Sequence, residues 1–124
     1  EVSRRIRAVI TRRFRAENIV LDPVMVAKSG DHLLEPDAVA AISELLVPLA
    51  TVTTPNLPEA DVLLGTDAKW SLDAMRTSAV ELRQLGSEWI LLKGGHLHGS
   101  AQSVDLLHGP QTTIEFGTSH PDAK

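Results

Sequence analysis

The chain has 124 residues, 43% hydrophobic and 23% charged, with a formal charge of -4 from 12 Lys+Arg against 16 Asp+Glu. These values suit one globular domain, or a piece of a larger one, and exclude an overall basic polymer binder. The absence of cysteine removes disulfides, thiolate metal sites and a cysteine nucleophile, and 3% aromatic residues leave too few rings for a single-strand stacking platform.

No run approaches the roughly 18 apolar residues of a membrane span, and no apolar signal-peptide core is present. A cytoplasmic α/β or α domain is expected, without membrane or nucleic-acid partners. The chain opens on Glu1 and closes on the polar run Gly117–Lys124, which reads as a portion of a longer polypeptide.

Val2, Ile6, Val9, Ile10 and Phe14 recur at helical spacing, with six arginines on the other positions. The solvated face of an ordinary amphipathic helix explains them better than a nucleic-acid arm or transit peptide does. Ile19-Val20-Leu21 is a continuous apolar run, the pattern of a strand covered on both faces. It leads into Asp22-Pro23-Val24-Met25 and a loop over Ala27–His32. Pro36-Asp37 starts a helix whose stripe is Val39, Ile42, Leu45 and Leu46, and Pro48 closes it. Ala50–Thr53 is a second strand. After Thr54-Pro55-Asn56-Leu57-Pro58-Glu59, a short helix carries Ala60, Val62, Leu63 and Leu64 to a stop at Gly65. Ser71 caps a longer helix with Met75, Ala79, Leu82 and Leu85 inward, ended by Gly86. Trp89–Leu92, with Trp89 in the core, is a third strand that runs into Lys93-Gly94-Gly95-His96. Beyond Gly99, Val104–Leu107 and Thr112–Phe116 flank His108-Gly109-Pro110-Gln111 as an antiparallel hairpin. Alternating strands and helices imply right-handed crossovers and a mostly parallel sheet with flanking helices, ending in an antiparallel edge hairpin.

Ligands of such a sheet bind beyond the carboxyl ends of its strands. There the sequence offers Asp22, then Thr54 with Asn56 and Glu59, then Lys93 with Gly94-Gly95. Lysine pairs with phosphate oxygens, glycines let backbone N–H groups approach closely, and Asp22 and Glu59 are hard oxygen ligands suited to Mg2+ or its water shell. Each member has an ordinary reading: a turn at Asp22, a helix cap at Asn56 and Glu59, turn glycines after a strand. No Walker A loop exists in the chain, and His96, His98, His108 and His120 read as loop and surface residues. Only the convergence points to phosphoryl transfer.

Val20–Asp31, with its Ala-Lys-Ser-Gly-Asp loop, closely resembles the hydroxymethylpyrimidine and phosphomethylpyrimidine kinases of thiamine biosynthesis. Thr54–Ala60 resembles their T-P-N-x-x-E-A segment, Leu92–His96 their L-K-G-G-H, and Val104–Leu107 the following strand. The N-x-x-E element is shared with pyridoxal kinases and the wider ribokinase-like superfamily, whereas the Ala27–Asp31 loop narrows the likeness to the pyrimidine branch. The resemblance implies a ribokinase-like fold and ATP- and Mg2+-dependent phosphorylation of 4-amino-5-hydroxymethyl-2-methylpyrimidine and its monophosphate. It implies that Asp22, Thr54, Asn56, Glu59, Lys93 and Gly94 border the nucleotide, with Asp22 and Glu59 on the metal side. It places Val24 against the pyrimidine ring and has the Lys28-Ser29-Gly30-Asp31 loop cover the site.

The family's glycine-rich substrate segment would precede Glu1, and its G-T-G-C-T anion hole, with the catalytic residue, would lie beyond Lys124. The expectation is therefore a single partial kinase domain over 1–124, with little or no turnover of its own. Exposed apolar surface should favour partner pairing, oligomerisation or poor solubility of the isolated piece, and the full-length protein is expected to be a homo-oligomer. The rival readings are a pyridoxal or pyridoxine kinase, and a non-catalytic module that binds a nucleotide or a partner.

Overall fold

The computed structural model describes residues 18–23, 35–96 and 102–119. The helix expected over 2–14, Met25, and the site residues Val24, Lys28, Gly30 and Asp31 lie outside the described residues.

Three strands run parallel: β1 (Val20–Leu21), β2 (Val52–Thr53) and β3 (Trp89–His96). Two antiparallel strands, β4 (Gln102–His108) and β5 (Thr113–Ser119), extend the sheet in the order β1-β2-β3-β4-β5. The Gly109 N–H donates to the Thr112 carbonyl at 2.9 Å, closing the expected hairpin turn. The fold is thus α/β, with a parallel part and an antiparallel edge hairpin.

The crossovers hold three helices, α1 (Pro36–Ala41), α2 (Leu57–Leu64) and α3 (Leu72–Arg83). Helix α1 is shorter than the apolar stripe predicts. A proline at position 48 cannot donate to residue 44 and crowds its carbonyl, and the chain widens into a π turn over Ile42–Leu46, then tightens into a 3-10 turn over Val47–Leu49. The turn of the stripe shifts with it. Val39 and Ile42 pack on the core as expected, but Val47 is the residue buried there, rather than Leu45 or Leu46. Gly65 ends α2 in the left-handed conformation (φ 66°), and the Ser71 hydroxyl accepts from the Ala74 N–H at 3.1 Å to start α3.

All three helices contribute to one core on one face of the sheet. Ala60, Leu63, Met75, Ala79 and Leu82 meet Ile90, Leu92 and Leu106 there. A buried hydroxyl relay crosses its base. The Ser87 hydroxyl donates to the Val47 carbonyl at 2.7 Å, so the Thr53 hydroxyl donates to Ser87 Oγ at 2.6 Å. On the open side of α3, Arg76 holds Glu115 of β5 through two bonds of 2.6 and 3.1 Å and also reaches Asp73 at 2.8 Å. Those hydrogen bonds keep the Glu115 carboxyl below its usual range.

The opposite face differs from the two-sided burial read from the apolar runs. Strand alternation and register put Val20, Val52, Trp89, Leu91, Leu107, Ile114 and Phe116 together on it. Val20 is 68% exposed and Phe116 48%. No described helix lies against this face, because α1, α2 and α3 all pack on the other one. Trp89, read as core, belongs to this second face. Its ring lies over Gly109, where a Cβ would overlap it.

Candidate active site

The site is assembled at the carboxyl ends of β1, β2 and β3. After β1 and β2 the backbones stay joined, since the Thr54 N–H donates to the Leu21 carbonyl at 2.9 Å. Beyond β2 the backbone stays joined to the middle of β3 through the Lys93 N–H, which donates to the Pro55 carbonyl at 2.9 Å, and through a parallel bridge between Asn56 and Lys93. Asp22, Thr54, Asn56 and Lys93 are thereby brought to one rim from segments over thirty residues apart. The Lys93 ammonium lies 3.9 Å from the Asp22 carboxylate, both side chains about half exposed. At that exposure the pair adds little to stability; it places a cation and an anion where a solvent-borne ligand can reach both.

Asn56 and Glu59 form a reciprocal cap at the start of α2. The Glu59 N–H donates to Asn56 Oδ1 at 2.8 Å, and the Asn56 N–H donates to Glu59 Oε1 at 2.9 Å. Glu59 is buried, at 3% exposure. The ordinary capping reading and the site reading therefore describe the same two residues: the cap fixes the amino end of α2 against the rim. Replacing Asn56 by Ala should cost about 1 kcal/mol. A urea melt of that variant checks this, and an unchanged midpoint would show that the cap is not what holds the turn.

Lys93-Gly94-Gly95 is not a turn after the strand, as the glycines suggest, but part of β3 itself. Between the pairs Lys93↔Asp105 and His96↔Ser103, β3 advances three residues and β4 two, so β3 carries a bulge. Gly95 takes the left-handed conformation there (φ 57°). Gly94 is glycine for a different reason: a Cβ would overlap the Val104 carbonyl oxygen and lie 2.8 Å from Met75 Cε. Its N–H donates to Asp105 Oδ1 at 3.1 Å, so the amide read from the sequence as available to an anion is engaged within the sheet.

Among the described residues no three His, Asp or Glu side chains gather as a metal cage. One exposed carboxylate, Asp22, fits a cation such as Mg2+, which keeps much of its water and shares phosphate oxygens, whereas Glu59 is buried and holds the Asn56 N–H. A shallow groove of about 380 Å3, lined by Thr66, Asp67, Ala74, Ser78 and Glu81 among others, shares no residue with the rim.

Two acids escaped the sequence reading. Asp61 accepts from Thr66 Oγ1, the Ala68 N–H and Trp70 Nε1 at 2.8 to 3.1 Å, and so shapes the connection between α2 and α3. Asp105 clamps the bulge. Its signal was a lone carboxylate inside the apolar run Val104–Leu107.

The family described as phosphomethylpyrimidine kinase matches residues 1–124. This chain belongs to the phosphomethylpyrimidine kinase family. A hydroxymethylpyrimidine/phosphomethylpyrimidine kinase of Rhizobium meliloti is 46% identical over 105 residues, 85% of this chain and 39% of that protein. The crystal structure of the phosphomethylpyrimidine kinase of Clostridium difficile superposes with a TM-score of 0.81 at 36% identity, covering 93% of this chain and 48% of the other. A pyridoxal kinase of Staphylococcus aureus in complex with AMP-PCP superposes with a TM-score of 0.82 at 34% identity, over 95% of this chain and 42% of the other. The chain of this phosphomethylpyrimidine kinase family member thus spans about two fifths of that curated relative and under half of these solved structures. The ribokinase-like fold expected from the motifs is the fold of these neighbours.

Proposed function

We propose that this chain supplies the nucleotide side of a kinase that transfers the γ-phosphoryl group of ATP to 4-amino-5-hydroxymethyl-2-methylpyrimidine, and then to its monophosphate, in thiamine biosynthesis. The observation that carries this reading is the 3.9 Å approach of Lys93 to Asp22 across two crossovers, beside the Asn56–Glu59 cap. Lys93 pairs with phosphate oxygens, as a flexible ammonium can. Asp22 orients the hydrated Mg2+ that accompanies the nucleotide, and the ion offsets phosphate charge. Thr54 and Asn56 border the phosphates from the end of β2, and Glu59 acts through the cap and through ordered water. Gly94 contributes by holding the backbone that carries Lys93. Val24 lies against the pyrimidine ring and the Lys28–Asp31 loop covers the site in this reading. The domain is a part of the kinase fold, acts in the cytoplasm and is homo-oligomeric in the full-length protein.

A pyridoxal or pyridoxine kinase is the second reading, favoured by structural neighbours of that name at similar TM-scores. Titrating the purified chain with ATP, with and without magnesium, tests the shared part. Saturable, magnesium-dependent binding that weakens in Asp22→Asn supports it; no binding at millimolar ATP sinks it. Phosphorylation of hydroxymethylpyrimidine and of pyridoxal, assayed side by side on the full-length protein, then separates the branches. Binding without transfer to either by the full-length protein would favour a non-catalytic module.

A further inference from the structure

Strand β3 has two tasks at the rim. Its Lys93 must pair with the turn after β2, and within the next two residues it must absorb one more residue than β4 supplies. A bulge interrupts the ladder and leaves an amide in need of an acceptor. Gly94 is that amide, and Asp105 supplies the acceptor with a side chain rather than a carbonyl.

Asp105 also stands directly opposite Lys93 in the register. Opposite charges at such positions attract each other. The Lys93 ammonium nonetheless makes its ion pair with Asp22, on the far side of β2. An Asp105 carboxylate oriented by the Gly94 amide leaves the ammonium to the rim. We propose that Asp105 is a positioning residue: by clamping the bulge through Gly94 it fixes the reach of Lys93 toward Asp22 and thus toward a nucleotide phosphate. This rests on the nucleotide-site reading for its functional consequence, but not for its geometry.

The test is a double-mutant cycle on the 124-residue chain, read as magnesium–ATP affinity by calorimetry. Asp105→Ala should weaken binding by up to about tenfold, the loss expected when the ammonium's charged hydrogen bond to phosphate is forfeited, while Asp105→Asn, which keeps an acceptor oxygen, should stay within about twofold. In a Lys93→Ala background, Asp105→Ala should add less than about twofold, because its effect passes through the ammonium. Equal losses for the alanine and asparagine variants, or a full loss in the Lys93→Ala background, would overturn the proposal. A second readout does not need ATP. The Lys93 side-chain NMR shifts in Asp105→Ala should move toward those of Asp22→Asn, while Asp105→Asn leaves them near wild type. Unchanged Lys93 resonances in Asp105→Ala would refute the positioning role even if ATP binds. If those resonances move as expected but no variant binds ATP, positioning stands and the nucleotide reading falls.

Discussion

Replacing Gly94 by Ala is expected to destabilise the chain by about 3 kcal/mol, at the upper end of what overpacking a core costs. The added methyl would overlap the Val104 carbonyl oxygen, which is backbone of the paired strand, and would crowd Met75 on α3. Neither side can retreat cheaply. Moving Val104 opens the β3–β4 ladder, and Met75 is fully buried beside Ala79 and Leu82. The neighbouring glycine provides the control. Gly95 has open space around a Cβ but a φ of 57°, so Gly95→Ala should cost only the left-handed backbone penalty, about 1 kcal/mol. Urea melts of the two variants would show the first shifted well beyond the second. Equal shifts would mean that conformation, rather than contact, makes both positions glycine.

Lys93→Ala should lower magnesium–ATP affinity by roughly tenfold or more, since a hydrogen bond to a charged group contributes about 1.5–3 kcal/mol. The same substitution should leave the melting midpoint nearly unchanged. The ammonium's protein partner is a half-exposed carboxylate at 3.9 Å, and pairs of that kind contribute about 0–1 kcal/mol. Calorimetry and a thermal melt on one preparation separate the two quantities. Wild-type affinity in Lys93→Ala would remove the lysine from the site, and a large loss of stability would recast it as structural.

The parts legible in the sequence were those fixed by local chemistry. Ser71, Gly65, Asn56 and Gly109 each mark a cap or turn whose geometry follows from one or two residues, and the helices and hairpin followed. The convergence of Asp22, Asn56 and Lys93 was legible because a parallel sheet places its strand ends side by side. What escaped depended on partners distant in the chain. The bulge in β3 is set by β4, so Gly94-Gly95 looked like a turn. The roles of Asp61 and Asp105 appear only once Trp70 and Gly94 are folded against them. Pro48 reads locally as a stop, but the α-helix already ends at Ala41 and Pro48 itself lies within the 3-10 turn, a change of winding that puts Val47 in the core.

The second sheet face carries a consequence for the chemistry at its upper end. Pleat alternation sets Lys93 and Asp105 on the same side as Trp89, Leu91 and Leu107. Oil-like surface therefore grades into the charged rim without a boundary. Any layer resting on that surface would also wall the phosphate-facing groups, lower the local dielectric and strengthen each charge contact made there. Trp89, wedged over Gly109 beneath such a layer, would register its arrival as a blue-shifted emission, a direct optical gauge of how dry the neighbouring site has become.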